Sequence, residues 1–351
     1  MNGPFLEDCS LSHLNLFLRL PFVTALGQKS TSHNLSITVQ LSDGSIGCGE
    51  ASESLAMPSQ TQASMAKALK RIHLNLIGKS VANLKQLKRL CRQAWELEPD
   101  FPTAVAALEC ALFDAFCRNQ RQSLWRFFGA KKRSLRTSYT ISVWPAALAA
   151  RVTRQIYQKG FRRIKIKVSG TIDEDLKRVQ AVWQAAPGAS LWIDANQGFS
   201  VNLALQFLSE LKRFKIPILF FEQPLPKQEW KGLAELRSKA KVAIALDESL
   251  QDIADARRID NKNLAEILNI KLAKSGITRT LEIMKVAQHH KIGLMIGCMA
   301  ESAQGLTPSV QLAAGSGVFD YVDLDSHLLI ESPIEADSFT TEGDRLKTCL
   351  S

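Results

Sequence analysis

Arg163-Ile164-Lys165-Ile166-Lys167-Val168 alternates basic and apolar side chains with the period of a strand, so Lys165 and Lys167 face one way and the aliphatic residues the other. Taken alone, this reads as a strand with a solvated basic face, because lysine is seldom buried. The neighbouring sequence reverses that reading. Short apolar runs recur at 138–143, 190–194, 218–222, 242–247, 267–271, 293–297 and 321–324, and amphipathic segments such as 172–183 and 202–214 separate them. Their ends fall about 25 residues apart, the length of one βα unit, and eight such strands close naturally into a parallel barrel. No GxGxxG follows any run, which leaves an open doubly wound sheet as the weaker alternative.

Upstream the pattern is different. Residues 1 to about 60 read as strands: 14–20 before Pro21, then the alternating 35–41, a turn at Asp43-Gly44 and a return through Ile46-Gly47-Cys48-Gly49-Glu50. From 61 to 128 apolar residues recur at helical spacing, as in Ala104, Ala107, Leu108, Ala111, Leu112 and Ala115. Strands first and helices after describe a segregated α+β domain ahead of the barrel.

The totals exclude several classes. With 351 residues and 46% hydrophobic content, the chain has material for one large domain or two. Its net charge of +10 is scattered through 67–92 and 131–133, so nucleic-acid binding is a weak alternative. Seven cysteines, odd in number and without a CxxC pair, read as reduced thiols of a cytoplasmic protein and not as a disulfide framework or zinc site. No run approaches the roughly 18 apolar residues of a membrane span. Glu7 and Asp8 stand where a signal peptide needs positive charge, so no targeting signal and no membrane partner are expected.

In a barrel the polar strand ends converge on one mouth, where barrel enzymes carry their chemistry. Those ends hold Lys165, Lys167, Asp194, Glu222, Asp247, Lys271, Asp323 and Asp325. Singly, each acid suits an ordinary helix N-cap. Together, Asp194, Glu222 and Asp247 would repel one another unless a cation neutralised them. Oxygen ligands without histidine or cysteine favour a hard ion, Mg2+ before Mn2+. Lys167 on the second strand and Lys271 on the sixth then stand on opposite sides of the axis. A lysine crowded by a second lysine and a dication is expected to have its pKa lowered toward that of a general base. A metal-bound carboxylate substrate could then lose its α-proton on one face and regain it on the other through a stabilised enediolate.

The ordered set Lys165-Ile166-Lys167, Asp194-Ala195-Asn196-Gln197-Gly198, Glu222-Gln223-Pro224, Asp247-Glu248-Ser249 and Asn269-Ile270-Lys271-Leu272-Ala273-Lys274 resembles the enolase superfamily, in its muconate-lactonizing subgroup. Asp43-Gly44, Gly49-Glu50-Ala51 and Ala111-Leu112-Phe113-Asp114 extend the likeness over nearly the whole chain. The resemblance implies a modified TIM barrel, (β/α)7β, at 131–325, with an α+β capping domain formed by 1–130 and the returning segment 326–351. It also implies Asp194, Glu222 and Asp247 as magnesium ligands, with Asn196 and Glu248 beside them. Lys167 and Lys271 become the acid/base pair, Lys165 the neighbour of the substrate carboxylate, and Thr140, Cys298 and Ala300 pocket residues.

Asp323-Leu324-Asp325 is similar to the Asp-x-Asp pair with which dipeptide epimerases hold a substrate ammonium, a charge-assisted clamp. The alternative is a pair of acids capping a turn. The expected activity is inversion of the α-carbon of a dipeptide's C-terminal residue. Epimerases of the L-Ala-D/L-Glu type share Pro21-Phe22-Val23-Thr24-Ala25-Leu26 but place an arginine where this chain has Gly27, so Ala-Glu is not the expected substrate. Phe22, Gly27, Glu53 and Met57 are the candidate specificity positions. Glu53 reads first as an exposed loop acid and second as a receptor for a cationic side chain. His327 reads as a rim residue. An o-succinylbenzoate synthase or muconate cycloisomerase is the alternative within the superfamily, and a non-catalytic anion-binding protein the alternative outside it. The dipeptide partner is a small molecule, and the oligomeric state, a homo-oligomer included, is left open.

Overall fold

The computed structural model describes residues 3–334 and 336–349. Met1, Asn2, Glu335, Leu350 and Ser351, which belong to the two expected cap segments, lie outside the described residues.

The chain opens with an antiparallel sheet of β1 (Leu6–Thr24), β2 (Gly27–Leu41) and β3 (Ile46–Ala51), in that order. Leu35, Ile37, Val39 and Leu41 bury one face of β2, as strict alternation requires. The first strand does not stop at Pro21. It runs on to Thr24 because a register shift between Phe17 and Phe22 absorbs the residue that has no N–H to offer the ladder. Helices Gln62–Leu76, Leu84–Leu97 and Pro102–Asn119 cover the buried face. Contact between β3 and the third of these is backbone-close. A Cβ at Gly47 or Gly49 would lie 2.1 Å from the carbonyl oxygen of Ala111 or Ala107, so both positions require glycine.

A short strand, β4 (Ser134–Arg136), leads into the barrel. Its staves are β5 (Tyr139–Ile141), β6 (Arg163–Lys167), β7 (Ser190–Asp194), β8 (Phe220–Glu222), β9 (Ala243–Leu246), β10 (Ile267–Ile270), β11 (Gly293–Gly297) and β12 (Tyr321–Asp323), parallel and in sequence order. Every expected run contains one of these strands. At the seam, Ser138 N–H donates to the Val322 carbonyl at 3.0 Å and Leu324 N–H to Thr137 Oγ1 at 2.8 Å. After β12 the chain makes a 3₁₀ turn, Ser326–Leu329, in place of an eighth barrel helix. Ile330 bridges Leu18 of β1, and the hairpin β13 (Phe339–Glu342) and β14 (Arg345–Thr348) pairs with β4. The architecture is the α/β barrel with a cap that the sequence implies.

The lower end of the barrel is filled by Trp192, Phe220, Ala245, Ile267 and Met295, all buried, with Tyr321 packed against them. Trp192 stacks on Phe220 with ring centroids 5.2 Å apart, and Tyr321 meets Phe220 edge-on at 4.8 Å. This plug makes the barrel a core and leaves only the opposite mouth for chemistry. No helix among the described residues is long and apolar enough to cross a membrane.

Candidate active site

Two residues beyond the plug, the same strands turn ionic. Lys165 and Lys167 of β6 both point inward, 2% and 5% exposed, so the solvated basic face is ruled out. Asp194 ends β7, Glu222 ends β8, and Asp247 and Lys271 follow β9 and β10 directly. Asp323 ends β12 and Asp325 follows it, and all of these side chains are buried. The residues after the acids serve the turns. Asn196, Gln197 and Gln223 take positive φ (41°, 72° and 36°), which swings the chain outward beyond the acids. Gln223 Oε1 accepts the N–H groups of Asp247 and Ser249, both at 3.0 Å, and its Nε2 donates to Ser249 Oγ at 2.8 Å. The glutamine of Glu-Gln-Pro thereby holds the Asp-Glu-Ser turn in place.

The charges interlock. Lys165 Nζ stands 2.9 Å from Asp194 Oδ2, 3.0 Å from Glu222 Oε2 and 2.8 Å from Asp323 Oδ2. Lys167 Nζ donates to Asp194 Oδ2 at 2.7 Å and to Asn196 Oδ1 at 2.8 Å, and Asn196 Nδ2 reaches Glu248 Oε1 at 3.2 Å. Across the mouth, Lys271 and Lys274 hold the two oxygens of Asp247 at 2.7 and 2.6 Å. Asn269 Nδ2 donates to Glu222 Oε1 at 2.7 Å, and Ser138 Oγ to Asp323 Oδ1 at 2.6 Å. Lys274, Asn269, Gln223 and Ser138 were not assigned roles from sequence. Only their spacing within the quoted motifs could have pointed to the first three.

Four ammonium groups (Lys165, Lys167, Lys271, Lys274) thus face six carboxyls (Asp194, Glu222, Asp247, Glu248, Asp323, Asp325). The imbalance appears in how the acids titrate. Burial favours the neutral form of Asp194 and Asp247, yet Lys165 and Lys167 bring Asp194 down to about 2, and Lys271 and Lys274 hold Asp247 well below the carboxylate range. Glu222, Glu248 and Asp325 show the surplus. Burial, then the charge of Asp194, pushes Glu222 up to about 8. Burial and Asp247 raise Glu248 to about 7, and burial and Asp323 raise Asp325 to about 7.

A divalent cation would remove this surplus, and hard carboxylate oxygens on neighbouring strands are donors of the right chemistry for one. Asp194 and Glu222 are direct partners across β7 and β8. Glu248 Oε2 is buried with no hydrogen-bond partner, and Glu222 Oε2 has Lys165 nearby but no well-directed hydrogen bond. Among the described residues, however, no three His, Cys, Asp or Glu side chains form a ready metal cluster. The Lys165 ammonium stands among Asp194, Glu222 and Asp323, so holding a metal requires these side chains to regroup.

The expected lowering of the lysines supposes a dication, and without one the carboxylates dominate. Burial alone would lower Lys271, but Asp247 outweighs it and holds the ammonium above the lysine range. Lys165 is likewise raised, burial being overcome by Asp194, Asp323 and Glu222. With no cation on them, carboxylates lie within 3 Å of both ammonium groups.

Above the mouth lies a cavity of about 300 Å³. Its floor includes Lys165, Lys167, Asp247, Glu248, Asn196, Lys271, Thr140, Cys298, Ala300, Asp323 and Asp325, while Asp194 and Glu222 do not line it. Its roof comes from the cap: Phe22, Leu26, Lys29, Leu55 and Met57. Thr140 N–H donates to Asp325 Oδ2 at 2.6 Å, and Asn34 of β2 holds the Ala300 carbonyl at 2.7 Å. Phe22 covers Lys167, whose Nζ is 5.3 Å from the ring centroid. Gly27 is outside the lining, because the turn between β1 and β2 directs Leu26 and Lys29 inward instead. Glu53 lines the cavity, but its carboxylate accepts from His33 and Gln62 N–H at 3.2 and 3.3 Å and anchors its loop. Lys29, overlooked in the sequence, donates to Ser32 Oγ and the Glu53 carbonyl, and burial lowers it to about 8. His327 is buried, bonded through Nε2 to Thr341 Oγ1 at 2.9 Å and away from the lining.

Comparison with known proteins places this geometry in context. Residues 9–129 match the N-terminal domain of mandelate racemase/muconate lactonizing enzymes, and 147–348 match the enolase C-terminal domain-like family. An aromatic dipeptide epimerase of Herpetosiphon aurantiacus is 36% identical over 97% of this chain and 96% of its own length. A hydrophobic dipeptide epimerase of Citrifermentans bemidjiense is 31% identical over 97% and 94%. The structure of a Cytophaga hutchinsonii dipeptide epimerase complexed with Mg and D-Ala-L-Val superposes with a TM-score of 0.92 at 26% identity, covering 98% of this chain and 93% of that one.

Proposed function

The chain belongs to the mandelate racemase/muconate lactonizing branch of the enolase superfamily, and on that premise we propose that it is an isomerase, a dipeptide epimerase that inverts the α-carbon of the C-terminal residue. One observation carries the reading: Lys167 and Lys271 approach one cavity from β6 and from the end of β10, four staves apart in a ring of eight. Two bases on opposite faces of a planar carbanion are what inversion needs.

Each residue then has a task. Asp194, Glu222 and Asp247 would hold magnesium, which supplies positive charge to the substrate carboxylate as the α-proton leaves. Lys165 adds a second positive charge beside that carboxylate. Lys167 removes or returns the proton on one face and Lys271 on the other. Asp323 and Asp325 take the substrate ammonium; burial and Asp323 disfavour the charged form of Asp325, and a bound cation would restore it. Asn196 steadies Lys167 and Glu248. Thr140, Cys298 and Ala300 shape the floor, and the cap's apolar roof closes the cavity against water.

The roof also favours a substrate class. Phe22, Leu26, Leu55 and Met57 present apolar surface to the C-terminal residue's side chain, and Lys29 is already bonded to Ser32 and Glu53. Large apolar or aromatic second residues fit such a wall, and glutamate does not. On this reading 1–130 is the specificity module, 131–325 the chemical one and 326–351 the segment returning to the cap. The seven free thiols suit a reducing cytoplasm. Cycloisomerase or o-succinylbenzoate synthase substrates would offer no ammonium to the Asp323–Asp325 pair.

Incubation of L-Ala-L-Phe and L-Ala-D-Phe in D2O tests the reading by mass spectrometry. Wild type should incorporate deuterium at the C-terminal α-carbon from both epimers. Lys167→Ala and Lys271→Ala should each lose exchange from one epimer, by roughly 10²–10⁴-fold. Full exchange from both epimers in both variants would sink it.

A further inference from the structure

The helix after β10 is broken. Within Leu272–His290 only Gly276 departs from helical geometry, at φ 60° and ψ −172°. Ahead of the break, one turn carries Lys271 and Lys274, which grip Asp247. That turn closes on Lys271 itself: its carbonyl accepts from the N–H groups of Lys274 at 2.9 Å and Ser275 at 3.2 Å, and from Ser275 Oγ at 3.1 Å. Beyond the break a second helix begins, and its first N–H groups need acceptors that Gly276, without a side chain, cannot provide.

The acceptor comes from the cap. Glu109, 1% exposed within Pro102–Asn119, takes Thr278 N–H on Oε1 at 2.7 Å and Trp95 Nε1–H on Oε2 at 2.9 Å. A Cβ at position 276 would lie 2.2 Å from Glu109 Oε2, so only glycine admits the carboxylate here. Arg279, stacked 3.6 Å above the Trp95 ring, offsets part of its charge. A serine or aspartate at the break would cap the helix without burying a distant acid. The remote acid does something a local cap does not: it ties the break to the cap.

We propose that Glu109 is a positioning residue for Lys271: from the cap it fixes the break at Gly276, and with it the turn that aims Lys271 across the mouth. Lys167 is held separately, by Asp194 and Asn196 on the far side. The proposal rests on the epimerase reading, and its signature is an effect on one face of the substrate.

The test follows α-hydrogen exchange of L-Ala-L-Phe and L-Ala-D-Phe in D2O for wild type, Glu109→Ala and Glu109→Gln, with Lys271→Ala identifying the epimer served by Lys271. Glu109→Ala should slow that epimer about 10-fold or more relative to the other, since small misplacements of a catalytic group are costly. Glu109→Gln keeps one acceptor oxygen and should fall between. Equal loss from both epimers, or no change in their ratio, overturns the proposal. Hydrogen–deuterium exchange of the peptide covering 271–280 needs no substrate: faster exchange confined to that segment in Glu109→Ala supports the tie, and unchanged protection overturns it. No α-exchange in wild type would sink the epimerase reading and leave the tie to be judged on this second measurement.

Discussion

Two layers of side chains face inward from the same barrel strands and obey opposite physics. On β7 Trp192 precedes Asp194 by two residues, on β8 Phe220 precedes Glu222, and on β12 Tyr321 precedes Asp323. The lower layer is stable because it leaves water, and each member contributes on its own. The upper layer is stable only while every charge has its partner, and it still holds more acid than base. One strand period separates a layer held by packing from a layer held by paired charge.

The sharpest way to break that contrast is Lys165→Met. Removing the ammonium shared by Asp194, Glu222 and Asp323 should destabilise the metal-free protein by about 3–5 kcal/mol, as expected for one partner lost from a buried ion pair. Mg2+ should recover more stability in the variant than in wild type. Thermal melts with and without the ion check both, and an unchanged melting temperature would refute the idea. Asp325→Asn comes next. A lost charge-assisted contact of about 1.5–3 kcal/mol should raise KM roughly 10–100-fold with much less change in kcat, measured on L-Ala-L-Phe.

In the lower layer the effect shrinks. Trp192 Nε1 is buried without a partner, so Trp192→Phe discards an unsatisfied donor while losing some packing. Its stability should change by less than about 2 kcal/mol, with Mg2+ affinity unmoved, as denaturant titration and calorimetry would report. A pH effect beside the mouth belongs to neither layer. Burial and Glu50 raise Glu301 to about 8, so the folded state keeps a proton that the unfolded chain releases near pH 4.5. Stability therefore falls as pH rises between those values, in the same sense as for Glu222, Glu248 and Asp325. Glu301→Gln should flatten that slope, raising the melting temperature by a few degrees at about pH 8 and not at about pH 5. A slope as steep as wild type would contradict this.

Much of this was legible because it is periodic. The barrel strands are short apolar runs with polar ends, and that pattern marks Lys165, Asp194, Glu222 and Lys271. Three things were hidden. Without a metal, the sign of the Lys271 shift depends on Asp247 lying 2.7 Å away, and charge type alone does not give a distance. Lys29 replaces Gly27 at the cavity because a tight turn decides which neighbours point inward. The bond from Glu109 to Thr278 spans 169 residues, and a glutamate amid Ala106, Ala107, Leu108 and Ala111 carries no local sign of where its carboxylate goes.

The seam between Ser138 and Val322 also has a meaning for synthesis. At roughly 5–20 residues per second, about 10–40 s separate the emergence of these two residues from the ribosome. For all of that time β5 has one edge without its final neighbour. An open edge is a template for pairing with other chains, and very short edge strands are the usual protection. With only Tyr139–Ile141 in the ladder, β5 offers a nascent neighbour little to bind, so the brevity of the barrel's first stave protects the chain while it is being made.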